Sequence, residues 1–486
     1  MRKMSCRLIV LLGAIFILVA VRAPAAEAKL NLLLITADDL NADSAGWMGN
    51  KLGATPNLDT LAGSACRFVN HHVTVPICQP GRSAFMTGRV PHRNGALGFH
   101  PINADVPTLV ELLRGAAFYT AVINKTAHMA PRDKFPWDKT HEGSGKNPPT
   151  FRKQLEESLA AAAKAKRPFF INANITDPHR PFYGSDQGRQ KAAEPAGKQR
   201  KQQKMVDLDA RPIEGVVTAF TPDQITVPSF LEDLSDVRKE VAQYYSSVRR
   251  FDMTFGEILA ALKASGQEDR TIVVFLSDHG MSFPFSKATV YYNGTRSPLI
   301  LRYPNQGRPR TLDQFVSSVD LLPTLLDLLG IAHPAGLDGR SWLPLLKGEA
   351  QEGRDYVVTH VNTVSSGRNY AQRCVRTKDR ALMFHGWSGG ETLFRVEAMK
   401  GLTFAALAAA GKNDPRIAAR VEQLTKGIPL ALYDLSKDPD ERTNVIDDRA
   451  YKADRERLTK LLIAHMAKTN DPQLAAFQKV VSGAGL

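Results

Sequence analysis

Two apolar runs, each ending in a pair of ligand-type residues, limit what this chain can fold into. Residues 31–36 read NLLLIT and lead to Asp38 and Asp39. Residues 271–277 read TIVVFLS and lead to Asp278 and His279. An unbroken apolar run of that length suits a strand buried on both faces, and such strands belong to parallel sheets covered by helices. Further strands are expected at 119–124, 169–175 and 356–360. Helical spacing recurs at 106–113, 235–262 and 312–329, and Pro56 starts a short helix with Thr55 as its cap. This alternation predicts an α/β fold, a large, mostly parallel sheet sandwiched by helices. Near residue 365 the pattern changes. Short strands at 369–376, 381–385 and 430–435 precede a final helix at 452–467, which predicts a smaller α+β C-terminal domain at 366–486. Ligands of open parallel sheets bind beyond the carboxyl ends of the strands, so the paired residues mark where function is expected.

The chain opens with a targeting segment. Arg2, Lys3 and Arg7 precede an apolar stretch at 8–21, and Ala26 and Ala28 offer small residues for cleavage. The stretch is too short for a stable membrane span. Residues 1–28 therefore read as a signal peptide, 29–365 as the main domain, and the mature chain as periplasmic or secreted. Three cysteines then remain, Cys66, Cys78 and Cys374. That is no disulfide framework, and one odd thiol in an oxidising compartment calls for a chemical explanation. The formal charge of +14 favours anionic ligands. No nucleic-acid-binding signature accompanies it, so nucleic acid is not an expected partner. The basic stretch 187–204 reads as a solvated insertion.

Adjacent strand-end acids are hard oxygen ligands suited to calcium or magnesium, and His279 admits other divalent ions. Cys78 opens the segment CQPGRSAFMTGR. Pro80 favours a helix start there, a helix N-terminus attracts anions, and Arg82 sits one turn along. His71 and His72 precede this segment in an expected strand and read as structural.

CQPGR followed by MTGR resembles the Cys-x-Pro-x-Arg signature of the formylglycine-dependent sulfatases, in the alkaline-phosphatase superfamily. LLLITADDL, VINKTAHMAP, TDPHRPF, FLSDHG and LYDLSKDPDERTNV resemble further segments of that family in order. The stretch from YSSVRRFD to YYNGTRSPL is most similar to the heparan N-sulfatase (sulfamidase) branch. The resemblance implies that Cys78 is oxidised to formylglycine by a maturation enzyme. It implies one divalent cation, calcium by expectation, held by Asp38, Asp39, Cys78, Asp278 and His279. Arg82 would hold the nucleophile, Lys125 and Lys287 the sulfate oxygens. His128 would assist proton transfer at formylglycine and His179 would act on the leaving group.

The implied chemistry is physically coherent. Anionic oxygens shield sulfur, and a metal with two lysines neutralises that charge. An aldehyde hydrate supplies a nucleophilic hydroxyl, and re-forming the carbonyl expels sulfate. Three departures stand out. Gly81 replaces the commonest Ser, which loosens the turn. Two residues rather than one separate Lys125 from His128. Lys287 stands where sulfamidase-like relatives carry Arg, a different donor geometry. The expected function is a metal-dependent sulfohydrolase acting on a sulfated sugar or glycosaminoglycan-like oligosaccharide, bound end-on. The alternatives are an N-sulfoglucosamine sulfohydrolase specifically, a phosphodiesterase or phosphonate monoester hydrolase of the same superfamily, and a non-catalytic carbohydrate-binding protein with unconverted Cys78.

Overall fold

The computed structural model describes residues 29–186 and 217–483. The targeting segment and the basic stretch 187–204 lie outside them. In chain order the strands are β1 (Asn31–Asp38), β2 (Cys66–Phe68), β3 (His71–His72), β4 (Tyr119–Ile123), β5 (Lys139–His141), β6 (Phe169–Pro178), β7 (Thr271–Ser277), β8 (Leu299–Arg302), β9 (Arg310–Leu312), β10 (Val316–Ser317), β11 (Tyr356–Thr363), β12 (Asn369–Thr377), β13 (Arg380–His385) and β14 (Leu430–Asp434).

The large sheet has the order β5-β4-β6-β1-β7-β8-β2-β9. Its five strands from β5 to β7 run parallel, and β8 is antiparallel to both its neighbours. β1 and β7 lie side by side at its centre, so the two ligand-type pairs leave the sheet together. Every residue of both strands is buried. Alternation along β1 sends Leu33, Ile35 and Ala37 to one face, against the helices Pro148–Ala165 and Ser235–Ala264. Leu32 and Leu34 face the other way, against the helices Cys78–Thr87, Leu109–Gly115 and Leu321–Leu328. Each fully buried Leu or Ile contributes roughly 1.5–3 kcal/mol, so both faces must be covered. This is the α/β architecture expected from the sequence.

A second, antiparallel sheet follows, in the order β11-β12-β13-β14. It begins at Tyr356, ahead of the change in pattern near 365. Val375, Leu382, Phe384 and Leu432 pack under the helices Lys452–Lys468 and Leu474–Gly483. Cys374, Ala381, Met383 and Tyr433, pointing the other way, join the core of the large sheet. The two sheets therefore share a hydrophobic core.

Local details differ from expectation where tertiary contacts win. The helix expected over 312–329 is broken into β10, a 3-10 turn Ser318–Asp320 and the helix Leu321–Leu328. Asp320 fixes the break by accepting from the Ser317 and Arg340 backbone amides at 3.0 and 2.7 Å. The helix expected from 106 starts at Leu109, because Thr108 and Glu111 form a capping box. Thr55 does not cap the helix Pro56–Gly63. Asp252, from the neighbouring long helix, takes the Asn57 and Leu58 amides instead, at 3.0 and 2.9 Å. The helix Lys452–Lys468 is followed by one more, Leu474–Gly483. Among the described residues no helix is long and apolar enough to cross a membrane.

Candidate active site

Successive strand residues point to opposite faces, so Asp38 and Asp39 could not serve one site if β1 simply continued. The chain turns at Asp39 with φ 70°, a left-handed conformation that is strained for a non-glycine residue. Donor atoms of Asp38, Asp39, Cys78 and His279 then lie within 4.8 Å of one another, all buried. Cys78 Sγ is 3.1 Å from His279 Nε2 and 3.4 Å from Asp38 Oδ1. Asp278 presents Oδ1 to the same place, 3.3 Å from the Asp39 amide and 3.6 Å from His279 Nε2.

Cys78 occupies the first turn of its helix, and Arg82 follows one turn later on the same side. Arg82 is fully buried. Its Nε and Nη2 donate to Asp278 Oδ2 at 3.1 and 2.9 Å, and Nη1 donates to Thr36 Oγ1 and Asn174 Oδ1 at 3.0 and 2.6 Å. Gly81 does not loosen this turn. A Cβ there would meet the Val75 carbonyl oxygen at 2.7 Å, so main chain fills the space a side chain would need. His71 and His72 are buried in β3 and bond to Ser297 O and Thr295 Oγ1, which is a structural role.

Basic side chains arrive from three directions. Lys125 follows β4 at φ 59° and pairs with Asp38. Lys287 Nζ reaches Asp39 Oδ1 and Oδ2 at 2.9 and 3.1 Å. His179 lies beyond β6 and donates from Nδ1 to its neighbour's carbonyl, Arg180 O, at 2.6 Å. Lys146 steadies that loop by donating to His179 O and Pro181 O at 2.8 and 3.0 Å. His128 packs edge-on against Phe99 at 5.6 Å and, among the described residues, makes no hydrogen bond to Cys78.

Burial and charge set the protonation states. Burial alone would raise Asp38, but Lys125, His179 and Arg82 hold it well below the ordinary carboxylate range. Burial raises Asp39, and Asp38 and Asp278 add to the shift against Lys287. Burial would lower Lys287, yet Asp39 holds it high. Burial pushes His179 down to about 3, with Lys287 adding to the effect, and also lowers His128. Three crowded carboxylates with an imidazole and a sulfur form an oxygen-rich donor set that fits a divalent cation.

Glu397, Thr36 and Asn174 escape the sequence reading. Thr36 and Asn174 could have been flagged as polar residues inside buried strands. Glu397 carries no sequence signal. It enters from the C-terminal part of the chain, with Oε2 3.5 Å from Lys287 Nζ and Oε1 3.6 Å from His179 Nε2. Lys287 first, then His179, overcome its burial and lower it to about 2. A second group of potential ligands, His92, His360 and Asp471, is taken up by Arg373, which pairs with both Asp471 oxygens.

A family model described as Sulfatase matches residues 30–331, and one described as N-sulphoglucosamine sulphohydrolase, C-terminal, matches residues 278–387. Human N-sulphoglucosamine sulphohydrolase is 30% identical over 343 residues, covering 66% of each chain. An ulvan-active sulfatase of Formosa agariphila is 28% identical over 458 residues, covering 93% of this chain and 82% of its own. A solved structure in complex with its substrate D-glucosamine-2-N,6-O-disulfate superposes with a TM-score of 0.66 at 19% identity, covering 91% of this chain and 99% of the other. At that identity it speaks for the fold.

Proposed function

The chain belongs to the sulfatase family and is a hydrolase of sulfate esters or sulfamates; from that premise we propose that it releases inorganic sulfate from a sulfated carbohydrate, using a formylglycine made from Cys78 beside one calcium ion. The observation that supports this most is the convergence of Cys78 with Asp38, Asp39, Asp278 and His279 where β1 and β7 end. Relatives named for N-sulphoglucosamine and for ulvan support a sulfated sugar as substrate.

In this reading Asp38, Asp39, Asp278 and His279 hold the metal with the modified Cys78. The metal supplies Lewis acidity where negative charge builds on the sulfate oxygens. Arg82 fixes Asp278 and thereby the metal-facing oxygen of that carboxylate. Lys125 and Lys287, each held by one carboxylate of the Asp38–Asp39 pair, bring positive charge to the same point. His179 keeps its Nδ1 hydrogen on Arg180 O, and its Nε2, 3.6 Å from Glu397 Oε1, is the atom left to act on the leaving group. His128 serves proton transfer at the nucleophile. The targeting segment supports export to the periplasm or beyond, and a maturation enzyme converts Cys78. O-sulfate is preferred to N-sulfate, because Lys287 replaces the Arg of sulfamidase-like relatives.

The test pairs two measurements on the purified protein. Conversion of the thiol to the aldehyde lowers the intact mass by about 18 Da, as expected for the activated nucleophile. Sulfate release is then compared over terminal O-sulfated, terminal N-sulfated and internally sulfated oligosaccharides. An unconverted, inactive protein that still binds sulfated sugars would replace the enzyme reading with a binding one.

A further inference from the structure

Glu397 begins the 3-10 turn Glu397–Met399 and stays one-third exposed. It also lines a cavity of about 780 Å³ formed by the β11–β12 connection and the segment 393–404. That volume falls within the range usual for small-molecule sites and admits one to two sugar residues. Arg368, Arg395 and Lys400 line the cavity, and all three are exposed. Among the described residues no carboxylate pairs with any of them. Met399 and Phe404 supply an apolar surface in the same cavity. The three cations and the single acid thus divide it: positive charge on the solvent-facing part, one carboxylate against Lys287 and His179.

A carboxylate beside the groups that hold the sulfate would at first sight oppose binding. Its chemistry resolves this. An ionised carboxylate only accepts hydrogen bonds, so it is satisfied by a hydroxyl or protonated amine and repels a second anion. The exposed cations favour the opposite chemistry, an anionic group one sugar further out. Building on the sulfohydrolase reading, we propose that this cavity is the saccharide subsite of the enzyme. Glu397 selects a sugar with a hydrogen-bond donor next to the reacting sulfate, and Arg368, Arg395 and Lys400 hold a carboxylate or sulfate on the adjoining residue.

The experiment uses the full, matured, metal-loaded chain and three probes. These are a terminally sulfated monosaccharide with free neighbouring hydroxyls, the same sugar carrying a second sulfate at the neighbouring position, and a disaccharide of the first sugar with a uronic acid. Arg395→Ala and Lys400→Ala are expected to raise KM for the disaccharide roughly tenfold more than for the monosaccharide, with kcat little changed. Glu397→Gln keeps the shape and removes the charge. It is expected to lower kcat/KM on the singly sulfated sugar about tenfold and to narrow its preference over the disulfated one. Equal KM changes on monosaccharide and disaccharide, or an undiminished preference in Glu397→Gln, would overturn the subsite while sulfate release by the wild type upholds the function. No sulfate release by the converted wild type from any probe would sink the functional reading and the subsite with it.

Discussion

Among the buried arginine–aspartate pairs of the described residues, Arg373–Asp471 and Arg82–Asp278 differ in how each spends its carboxylate, and the difference separates a brace from a reaction centre. Arg373 Nε and Nη2 grip both oxygens of Asp471, at 2.5 and 2.8 Å. Its remaining donors go to Val361 O, Gln372 O and Asn362 Oδ1, so every charge is answered locally. Arg82 Nε and Nη2 instead crowd onto a single oxygen, Oδ2 of Asp278, and leave Oδ1 turned towards Asp39 and His279. Both arginines are buried to the same degree. Buried charge alone therefore does not mark a site. What marks it is donor capacity left over and pointed at a common centre.

The comparison breaks most sharply at Cys78. Cys78→Ala and Cys78→Ser are each expected to lower kcat by about 10⁴-fold or more, since neither side chain can form the activated nucleophile. Unfolding should change little, because a small side chain in a helix's first turn is exchanged for another. Multiple turnover near the wild-type rate in either variant would refute the assignment of the nucleophile. Next comes the metal. Exhaustive chelation should cost about 10³-fold in rate, recovered on adding back a divalent ion. Asp38→Asn should lower the bound metal, read by elemental analysis, while Arg373→Met should leave it at one per chain. A metal-free protein with full activity would remove the cation from the mechanism.

The brace should behave in the opposite way. Asp471→Asn leaves Arg373 buried without its counter-charge, which costs about 3–5 kcal/mol of stability. Denaturant titration measures this, and kcat per folded molecule should stay within twofold or so, as expected for a change that acts on folding alone. A large fall in kcat at unchanged stability would show that the second pair does reach the reaction centre.

The sequence reveals the first of these clusters far better than the second. β1 and β7 are legible because a strand covered on both faces must be apolar throughout, which makes the acids at its end conspicuous. The electropositive turn at Cys78 and Arg82 follows from Pro80 and helical spacing, while their roles in the site come from the family resemblance. Lys125, His128, His179 and Lys287 are visible only through family resemblance, since a single basic residue in a loop has no periodicity to betray it. The left-handed turn at Asp39, which brings two consecutive acids to one point, leaves no trace in composition. Glu397 is illegible for a longer-range reason. Its position depends on the helix Leu402–Ala410, whose Leu402 and Thr403 amides are held by Glu240 at 3.0 and 2.8 Å, from a helix more than a hundred residues earlier. The helix expected at 312–329 is lost for local and long-range reasons together, since Asp320 takes the Ser317 amide locally and the Arg340 amide and Trp342 Nε1 from 20 and 22 residues on.

Acid should also weaken the second cluster. His92, His360 and His465 surround Asp471, and burial lowers all three, His465 to about 4. A histidine depressed in the folded state takes up its proton on unfolding. Its stabilising contribution is complete above the unfolded value near 6.5 and is lost as pH falls from there towards the folded value. Stability should therefore decline between pH 6.5 and 4, by about 1.4 kcal/mol per pH unit for each such histidine. His465→Gln should flatten that slope by one proton, measured as denaturation midpoints against pH. An unchanged slope would move the acid sensitivity elsewhere.

The smallest expected effect is the most informative about substrate. Lys287 Nζ touches Asp39 at 2.9 and 3.1 Å and Glu397 at 3.5 Å, three contacts that a compact ammonium makes as a point charge. Lys287→Arg would put a planar fork into the same nearly closed space. A guanidinium can pair side-on with the Asp39 carboxylate and still offer a donor outward, so the site should survive, but the charge would sit further forward and less centred. The expected cost is roughly three- to tenfold in kcat/KM on an O-sulfated sugar, about one kcal/mol of transition-state stabilisation. On an N-sulfated sugar the loss should be smaller, because the family resemblance implies Arg at this position in sulfamidase-like proteins. The ratio of the two rates, rather than either alone, is the measurement, since a general loosening of the site would lower both together. A fall of equal size on both substrates would show that Lys287 sets the strength of the sulfate pocket but not its choice between oxygen and nitrogen.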